Sequence, residues 1–168
     1  MKDITLRPIE ISDAVFIQPL ANDYEVAKMV ASWPHPYTME DAKAFVEKVC
    51  QREKDKKGLE NAILYKEEFA GVIGWFYNRL EEVEIGYWIA RKFWGLGIGT
   101  RALQLKIMDI KKNPSPDKII ARVMEENLPS ARLLLKVGFV AAPQATETCP
   151  SKARGGKEMI ARKYELLL

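Results

Sequence analysis

Three glycines at alternate positions, in the stretch WGLGIG from Trp94 to Gly99, form the first candidate site. Glycine is a poor residue for the interior of a strand or helix, so its repetition indicates a close approach between backbone and ligand. A strand-like run precedes the stretch and a helix-like run follows it. Free amides at the start of a helix bind anions, and Arg91, Lys92 and Arg101 add positive charge nearby. The stretch therefore predicts a site for a phosphate-containing, nucleotide-like cofactor.

Three other interpretations compete for this stretch. A P-loop requires a lysine after its last glycine, and none follows Gly99. A dinucleotide fingerprint is matched in form, because Gly97, Gly99 and Ala102 satisfy G-x-G-x-x-A and Glu125 ends the next predicted strand. However, a meander precedes the glycines and too few residues follow Glu125, so a Rossmann-type dinucleotide-binding protein is the less favoured alternative. Glycines that only let a helix pack tightly on a sheet need no ligand at all.

The hydrophobic pattern predicts the elements that position these glycines. Alternating residues predict strands over 4–9, 60–67, 69–78, 83–90, 118–124 and 157–168. Helical spacing and capping residues predict helices from Ser12 to about Asn22, from Thr38 to about Glu53, over 100–112 and from Asn127 to Gly138. The stretch 141–156 is predicted as a loop. This order indicates an α+β fold, with a mixed, mostly antiparallel twisted sheet of about six or seven strands flanked by about four helices.

Length and composition set limits on the whole chain. The 168 residues fit one domain, and the net charge of +3 favours anionic ligands but is too weak and dispersed for nucleic-acid binding. Two distant cysteines, Cys50 and Cys149, form neither a disulfide framework nor a zinc pattern, so we predict no metal. No apolar run reaches the ~20 residues of a membrane span, and no signal-like stretch begins the chain. We therefore expect a cytoplasmic protein with no membrane partner.

Four segments, in the correct order, resemble the GNAT N-acetyltransferases. VEIGYWIARKFWGLGIGTRAL is similar to the central signature of that family, whose pyrophosphate loop is usually Q/R-x-x-G-x-G/A. Trp94 replaces the usual glutamine or arginine, and this replacement is frequent in the branch of bacterial ribosomal-protein N-terminal acetyltransferases. LRPIEISDA, PHPYTMEDAKAFV and ENLPSARLLLKVGF also resemble that branch. The resemblance implies a single N-acetyltransferase domain over residues 1–168.

The resemblance also implies that acetyl-CoA is the cofactor. Its pyrophosphate would lie on amides of the glycine stretch, and its pantetheine arm would run like an extra strand beside the end of strand 83–90. Asn127, which also occupies a helix N-cap position, would contact the same arm. The cofactor-binding residues implied are Trp88, Ile89, Ala90, Gly95, Leu96, Gly97, Ile98, Gly99, Thr100 and Asn127.

Acetyl transfer requires a group that takes a proton from the amine and one that protonates or hydrogen-bonds the departing thiolate. Glu84 is the predicted base, because the family often has a glutamate base on this strand, and alternation places it with Gly86 and Trp88 on one face. Ser130 is the predicted acid, because the resemblance places it near the thioester sulfur and Leu134 replaces the tyrosine of many members. A solvated Glu84, a purely capping role for Ser130, and a water as the acid in place of Ser130 remain alternatives.

The acceptor is expected to be a primary amine, on a protein N-terminus or on a small molecule such as an amino sugar or polyamine, acetylated directly in a ternary complex. Segments 13–40 and 141–156 are expected to face it. The predicted acceptor contacts are Trp33, His35, Tyr37 and Trp75, for which ordinary packing is the alternative. Because leucine at 134 removes one usual acid, a non-catalytic acyl-CoA-binding module is the alternative function. Both a monomer and a homodimer fit the sequence.

Overall fold

A seven-stranded sheet forms the centre of the protein. The computed structural model describes residues 3–168, apart from the side chains of residues 143–145. The strands are β1 Ile4–Pro8, β2 Gly58–Tyr65, β3 Glu68–Tyr77, β4 Val83–Ile89, β5 Lys118–Met124, β6 Val140–Ser151 and β7 Lys157–Leu167. They lie in the order β1-β2-β3-β4-β5-β7-β6, and every neighbouring pair is antiparallel except β4–β5. This confirms the predicted α+β fold with a mixed, mostly antiparallel sheet.

Five α-helices accompany the sheet in the described part of the chain. They are α1 Ala14–Ala21, α2 Tyr24–Ala27, α3 Met39–Lys54, α4 Ile98–Lys112 and α5 Leu128–Lys136. Four were predicted, and the single-turn α2 was not. The predicted capping box of α3 is present, because the Asp41 amide donates to Thr38 Oγ1 and the Thr38 amide donates to the Asp41 carboxylate. Local sequence therefore specified this helix start.

The loop predicted over 141–156 is wrong for most of its length. The chain from 140 to 151 forms strand β6, which pairs antiparallel with β7 from Ser151↔Lys157 to Thr146↔Arg162 before the register shifts. Pro150 is tolerated because β6 is an edge strand, where a missing amide donor breaks no ladder on the open side. The proline and the polar residues gave no strand signal, and pairing with β7 decides the conformation.

Alternation along β4 divides its side chains between the two faces of the sheet, as predicted. Glu84, Gly86 and Trp88 lie opposite Phe76, Gly74 and Val72 of β3 and share their face. Helix α3 covers that face, because Arg52 lies over the Phe76 ring at 4.7 Å. Helices α4 and α5 cover the other face. A Cβ added at Gly99 would lie 3.1 Å from Ile89 Cδ1 and 2.5 Å from Leu133 Cδ1.

Candidate active site

A cleft opens in the middle of the sheet, between β4 and β5. These two parallel strands have one registered pair, Glu84↔Ile120, and separate beyond it. The cleft encloses about 60 Å³ and is lined by Met29, Ile85, Gly86, Tyr87, Ala121, Arg122, Val123, Met124, Asn127 and Ser130. Because strand backbone needs hydrogen-bond partners, strands that diverge leave polar groups for an inserted ligand. The cleft therefore suits an extended arm that carries amide groups.

The glycine stretch lies just after β4 and leads into α4. Gly95 and Gly97 have φ values of +78° and +75°, in the left-handed region that favours glycine, and a Cβ on either would meet nothing within 4 Å. Both are exposed, and Gly97 is the N-cap of α4. The first amides of a helix have no intrahelical partner and attract anions. This open loop fits a diphosphate.

Gly99 is a glycine for another reason. It is buried in α4, and Leu133 Cδ1 lies only 2.5 Å from the position that a Cβ would take, which leaves no space for a side chain. Here glycine lets α4 pack closely against α5. The ligand-binding and packing interpretations of the stretch therefore apply to different residues of it.

Trp94, the departure from the family's loop pattern, connects the loop to the strand before it. Its indole Nε1 donates a 2.7 Å hydrogen bond to the Ile89 carbonyl, while the side chain remains 48% exposed. A glutamine or arginine at this position would present a polar group to the loop instead. The tryptophan holds the loop against the carboxyl end of β4.

Glu84 is a buried carboxylate, so the alternative of a solvated side chain is wrong. It is 8% exposed, whereas its neighbour Glu81 is exposed. Arg122 Nη1 lies 3.2 Å from Glu84 Oε2, and Asn78 Nδ2 donates to the same oxygen at 3.4 Å. Burial raises the pKa of Glu84 above its ordinary value, and the charge of Arg122 offsets part of that rise. The carboxyl is thus a stronger base than an exposed glutamate, as a proton acceptor for an amine requires.

Arg122 is a site residue that the sequence analysis missed. It lies on β5, lines the cleft, and extends Nε to within 3.5 Å of Glu147 Oε2 on β6. A charged residue within the apolar run KIIARVM was the available signal. Its two acidic partners come from β4 and β6, so its placement depends on the sheet order.

Ser130 and Asn127 lie together at the start of α5. The Ser130 amide donates to Asn127 Oδ1 at 3.2 Å, which confirms the predicted cap. Capping is not the whole role of Ser130, since its Oγ lies 2.8 Å from the hydroxyl of Tyr87 on β4. Leu134 is completely buried and fills the core at the position where many relatives carry a tyrosine. Alternation placed Tyr87 on the correct face, but its partner lies far away in sequence and was not predicted.

The four aromatic residues predicted to contact the acceptor do not form one group, although the rings of Trp33 and Tyr37 are 4.9 Å apart. Trp33, Tyr37 and Trp75 are all within the hydrophobic core. Trp33 packs on Trp88, on the α3 face. Trp75 pairs with Ile85 and so lies on the opposite face, which α4 and α5 cover and which is called the α5 face below. His35 is exposed, with its ring centroid 5.3 Å from that of Tyr24. Burial favours core packing for Trp33, Tyr37 and Trp75.

The two segments expected to face the acceptor do meet. The Lys152 amide, after β6, donates a 3.0 Å hydrogen bond to the Ala31 carbonyl, between α2 and α3. Met29 of the same connection lines the cleft. The first of these segments therefore borders the cleft at Met29, and the second contacts the first.

Two negative observations concern residues 3–168. Within that range no three histidine, cysteine, aspartate or glutamate residues are grouped so that they could share a metal ion. No helix there combines the length and the apolar character that crossing a membrane requires.

Comparison with known proteins gives a consistent result. Residues 3–140 match the family model described as Acetyltransferase (GNAT) domain. A relative from Bacillus licheniformis, described as uncharacterized N-acetyltransferase p20, is 29% identical over 143 residues, which are 81% of this chain and 78% of the relative.

Two solved structures share the whole architecture. A ribosomal L7/L12 alpha-N-protein acetyltransferase in complex with coenzyme A has a TM-score of 0.84 at 17% identity, covering 100% of this chain and 96% of its own. Spermidine N-acetyltransferase from Vibrio cholerae, in complex with CoA and spermine, has a TM-score of 0.81 at 19% identity, covering 99% and 96%. At these identities, the likeness shows the fold.

Proposed function

The chain belongs to the acetyltransferase (GNAT) family and is an N-acetyltransferase that uses acetyl-CoA, and we propose that it transfers the acetyl group directly to a primary amine in a ternary complex. The observation that carries this proposal is the continuity of two features along β4. An open glycine loop follows the strand, and a cleft lined by two hydroxyls and by Arg122, the partner of the buried Glu84 carboxylate, opens beside it. Neither Cys50 nor Cys149 lines the cleft, which favours direct transfer over an acyl-cysteine.

The residues present fit coenzyme A. Amides from Gly97 to Thr100 would bind its diphosphate, since no side chain at Gly95 or Gly97 obstructs the loop. The backbone of β4 from Gly86 to Ala90 would hold the pantetheine arm in the cleft, with Asn127 at its border. When bound, acetyl-CoA supplies an acetyl group activated as a thioester.

Glu84 and Ser130 divide the proton chemistry between the two faces of the sheet. Glu84 takes a proton from the amine, directly or through water, because burial makes its carboxylate more basic than usual. Arg122 keeps that carboxylate charged before the amine arrives. On the other face, Ser130 Oγ offers a hydrogen bond to the departing sulfur. These retained groups favour an enzyme over a module that only binds acyl-CoA.

The acceptor belongs to one of two classes, a protein N-terminus or a small-molecule amine. One structure with this fold is named for a ribosomal protein and another for spermidine. Both classes of acceptor remain candidates for this chain. A panel of N-terminal peptides, polyamines and amino sugars, assayed for release of free coenzyme A thiol, distinguishes them. Coenzyme A binding without release of thiol for any amine would instead favour the non-catalytic module.

Gly97→Val tests the glycine loop. Valine is strained at a φ of +75° and its branches would occupy the open loop, so we expect coenzyme A affinity to fall by about tenfold or more, measured by calorimetry. Gly155→Val is the matched control, because Gly155 also has a positive φ of +63° and open surroundings but lies between β6 and β7. Unchanged affinity in a folded Gly97→Val protein would contradict the assignment of the loop.

A further inference from the structure

Tyr87 and Ser130 form a hydroxyl pair across the cleft. The two oxygens are 2.8 Å apart, which is a full hydrogen bond, and both residues line the cleft. Tyr87 comes from β4 and Ser130 from the first turn of α5, so the contact joins the strand that feeds the glycine loop to the helix beside it. The pair is separate from the Glu84–Arg122 ion pair, which lies on the opposite face.

Either hydroxyl could donate this hydrogen bond, and acidity favours the phenol of Tyr87. A phenol is much more acidic than an aliphatic alcohol and is the better donor, whereas a serine hydroxyl rotates freely to suit its surroundings. The other acceptor near the Tyr87 hydroxyl is the Ser130 carbonyl oxygen, at the longer distance of 3.5 Å. With Tyr87 as the donor to Ser130 Oγ, the hydrogen of Ser130 points elsewhere.

We propose that Tyr87 is a positioning residue, which turns the Ser130 hydroxyl hydrogen into the cleft, toward the sulfur of coenzyme A. The inference rests on the proposed function, because it requires coenzyme A in the cleft. It explains how a chain with a buried leucine at 134 retains a phenol next to the leaving group: the phenol comes from the strand instead of the helix. No bond of Tyr87 breaks, and its role is to orient Ser130.

The protonation state of Tyr87 agrees with this role. Burial raises the pKa of Tyr87 to about 12, so the phenol keeps its proton over the working range of an enzyme. A phenol that remained ionised would accept a hydrogen bond from Ser130 and turn its hydrogen away from the cleft. Arg122 also lines the cleft, and its charge acts on a bound thiol whether or not Tyr87 is present.

The test measures the thiol pKa of bound coenzyme A by the ultraviolet absorbance of the thiolate, with desulfo-coenzyme A as the baseline. No acceptor amine is needed. A hydrogen bond from Ser130 stabilises the thiolate and lowers the thiol pKa, so Ser130→Ala should raise it by about one pH unit. Tyr87→Phe should raise it by part of that amount, and the double variant should titrate like Ser130→Ala, because Tyr87 acts only through Ser130.

Tyr77→Phe, which removes a hydroxyl from the neighbouring strand β3, is the matched control and should titrate like the unsubstituted protein. If the Tyr87→Phe protein does not fold, 3-fluorotyrosine at position 87 replaces it. A stronger donor of nearly the same size should lower the thiol pKa. Identical titrations for the Tyr87 variant and the unsubstituted protein overturn the role of Tyr87 but leave the proposed function standing. A further change in the thiol pKa when Tyr87→Phe is added to the Ser130→Ala protein also overturns the role of Tyr87. Failure of the unsubstituted protein to bind coenzyme A overturns the proposed function itself.

Discussion

The two faces of β4 carry different chemistry, although their residues alternate along one strand. On the α3 face, Glu84 is held by Arg122 and Asn78 in a buried, charged arrangement. On the α5 face, Tyr87 and Ser130 form a neutral hydroxyl pair. Tyr87, Ser130 and Arg122 line the cleft between β4 and β5, and Glu84 lies behind Arg122. In the proposed reaction, a charged base serves the amine on one side and neutral donors serve the sulfur on the other.

In the proposed reaction, this difference explains why the chain tolerates a leucine at position 134. The α5 face would need only a hydrogen-bond donor beside the leaving group, and two hydroxyls from other positions would supply it. The α3 face needs a carboxylate whose basicity is tuned by burial and by charge, and the buried Glu84 beside Arg122 provides it. Substitutions on the two faces should therefore differ in size and in kind.

The largest effect is expected from Glu84→Gln. Removing the proton acceptor should lower turnover by about 10²-fold, while coenzyme A affinity should change little, because Glu84 does not line the cleft. Steady-state kinetics with an accepted amine, together with calorimetry for coenzyme A, separate the two quantities. Glu81→Gln, an exposed neighbour on the turn before β4, should leave both unchanged. Undiminished turnover of Glu84→Gln at every pH would remove Glu84 from the mechanism.

An intermediate effect, on stability, is expected from Leu134→Tyr. The side chain of Leu134 is completely buried, so a tyrosine must overpack the core and should lower the free energy of unfolding by about 1–3 kcal/mol. It should also fail to restore turnover to Ser130→Ala. Denaturant unfolding provides the measurement, and Leu135→Tyr, at a side chain that is 51% exposed, is the control with little expected change. Restored turnover would mean that position 134 can reach the cleft after all.

The smallest effect is a shift in pH dependence. Glu84 must be deprotonated to accept a proton, so activity falls as the pH drops through its pKa. Arg122 lowers the pKa of Glu84 and Glu147 raises it. Arg122→Gln should therefore move the acidic limb of the kcat/KM profile to higher pH, and Glu147→Gln should move it to lower pH. Shifts in the same direction for both variants would show that another group controls the limb.

Local sequence was enough for features that depend on neighbours in the chain. The capping box at Thr38 and Asp41, the cap at Asn127 and the alternation along β4 are interactions within a few residues, and all three are present. The glycine loop belongs to the same class, because a left-handed φ is a property of one residue. Local signals failed at β6, where a strand forms only because β7 lies beside it.

The predicted site was less complete than the predicted fold. Glu84 and Ser130 were predicted from the resemblance, but the contacts with Arg122 and Tyr87 were not, since each partner lies on a different element. The aromatic side chains of Trp33 and Trp75 were grouped by residue type, and the sheet separates them onto opposite faces. Residue type indicates which chemistry is available, whereas only the fold decides which groups share a space.

The sequence by itself determined the family, the order of all strands and helices except α2 and β6, the glycine loop and the alternation that divides β4 into two faces. These follow from backbone conformation and from periodicity, which act over a few residues. Only the tertiary structure decided that β4 and β5 separate after one registered pair, that Arg122 neutralises Glu84, and that Tyr87 reaches Ser130. Those contacts join residues distant in the chain, and their geometry is set by the packing of the sheet against its helices.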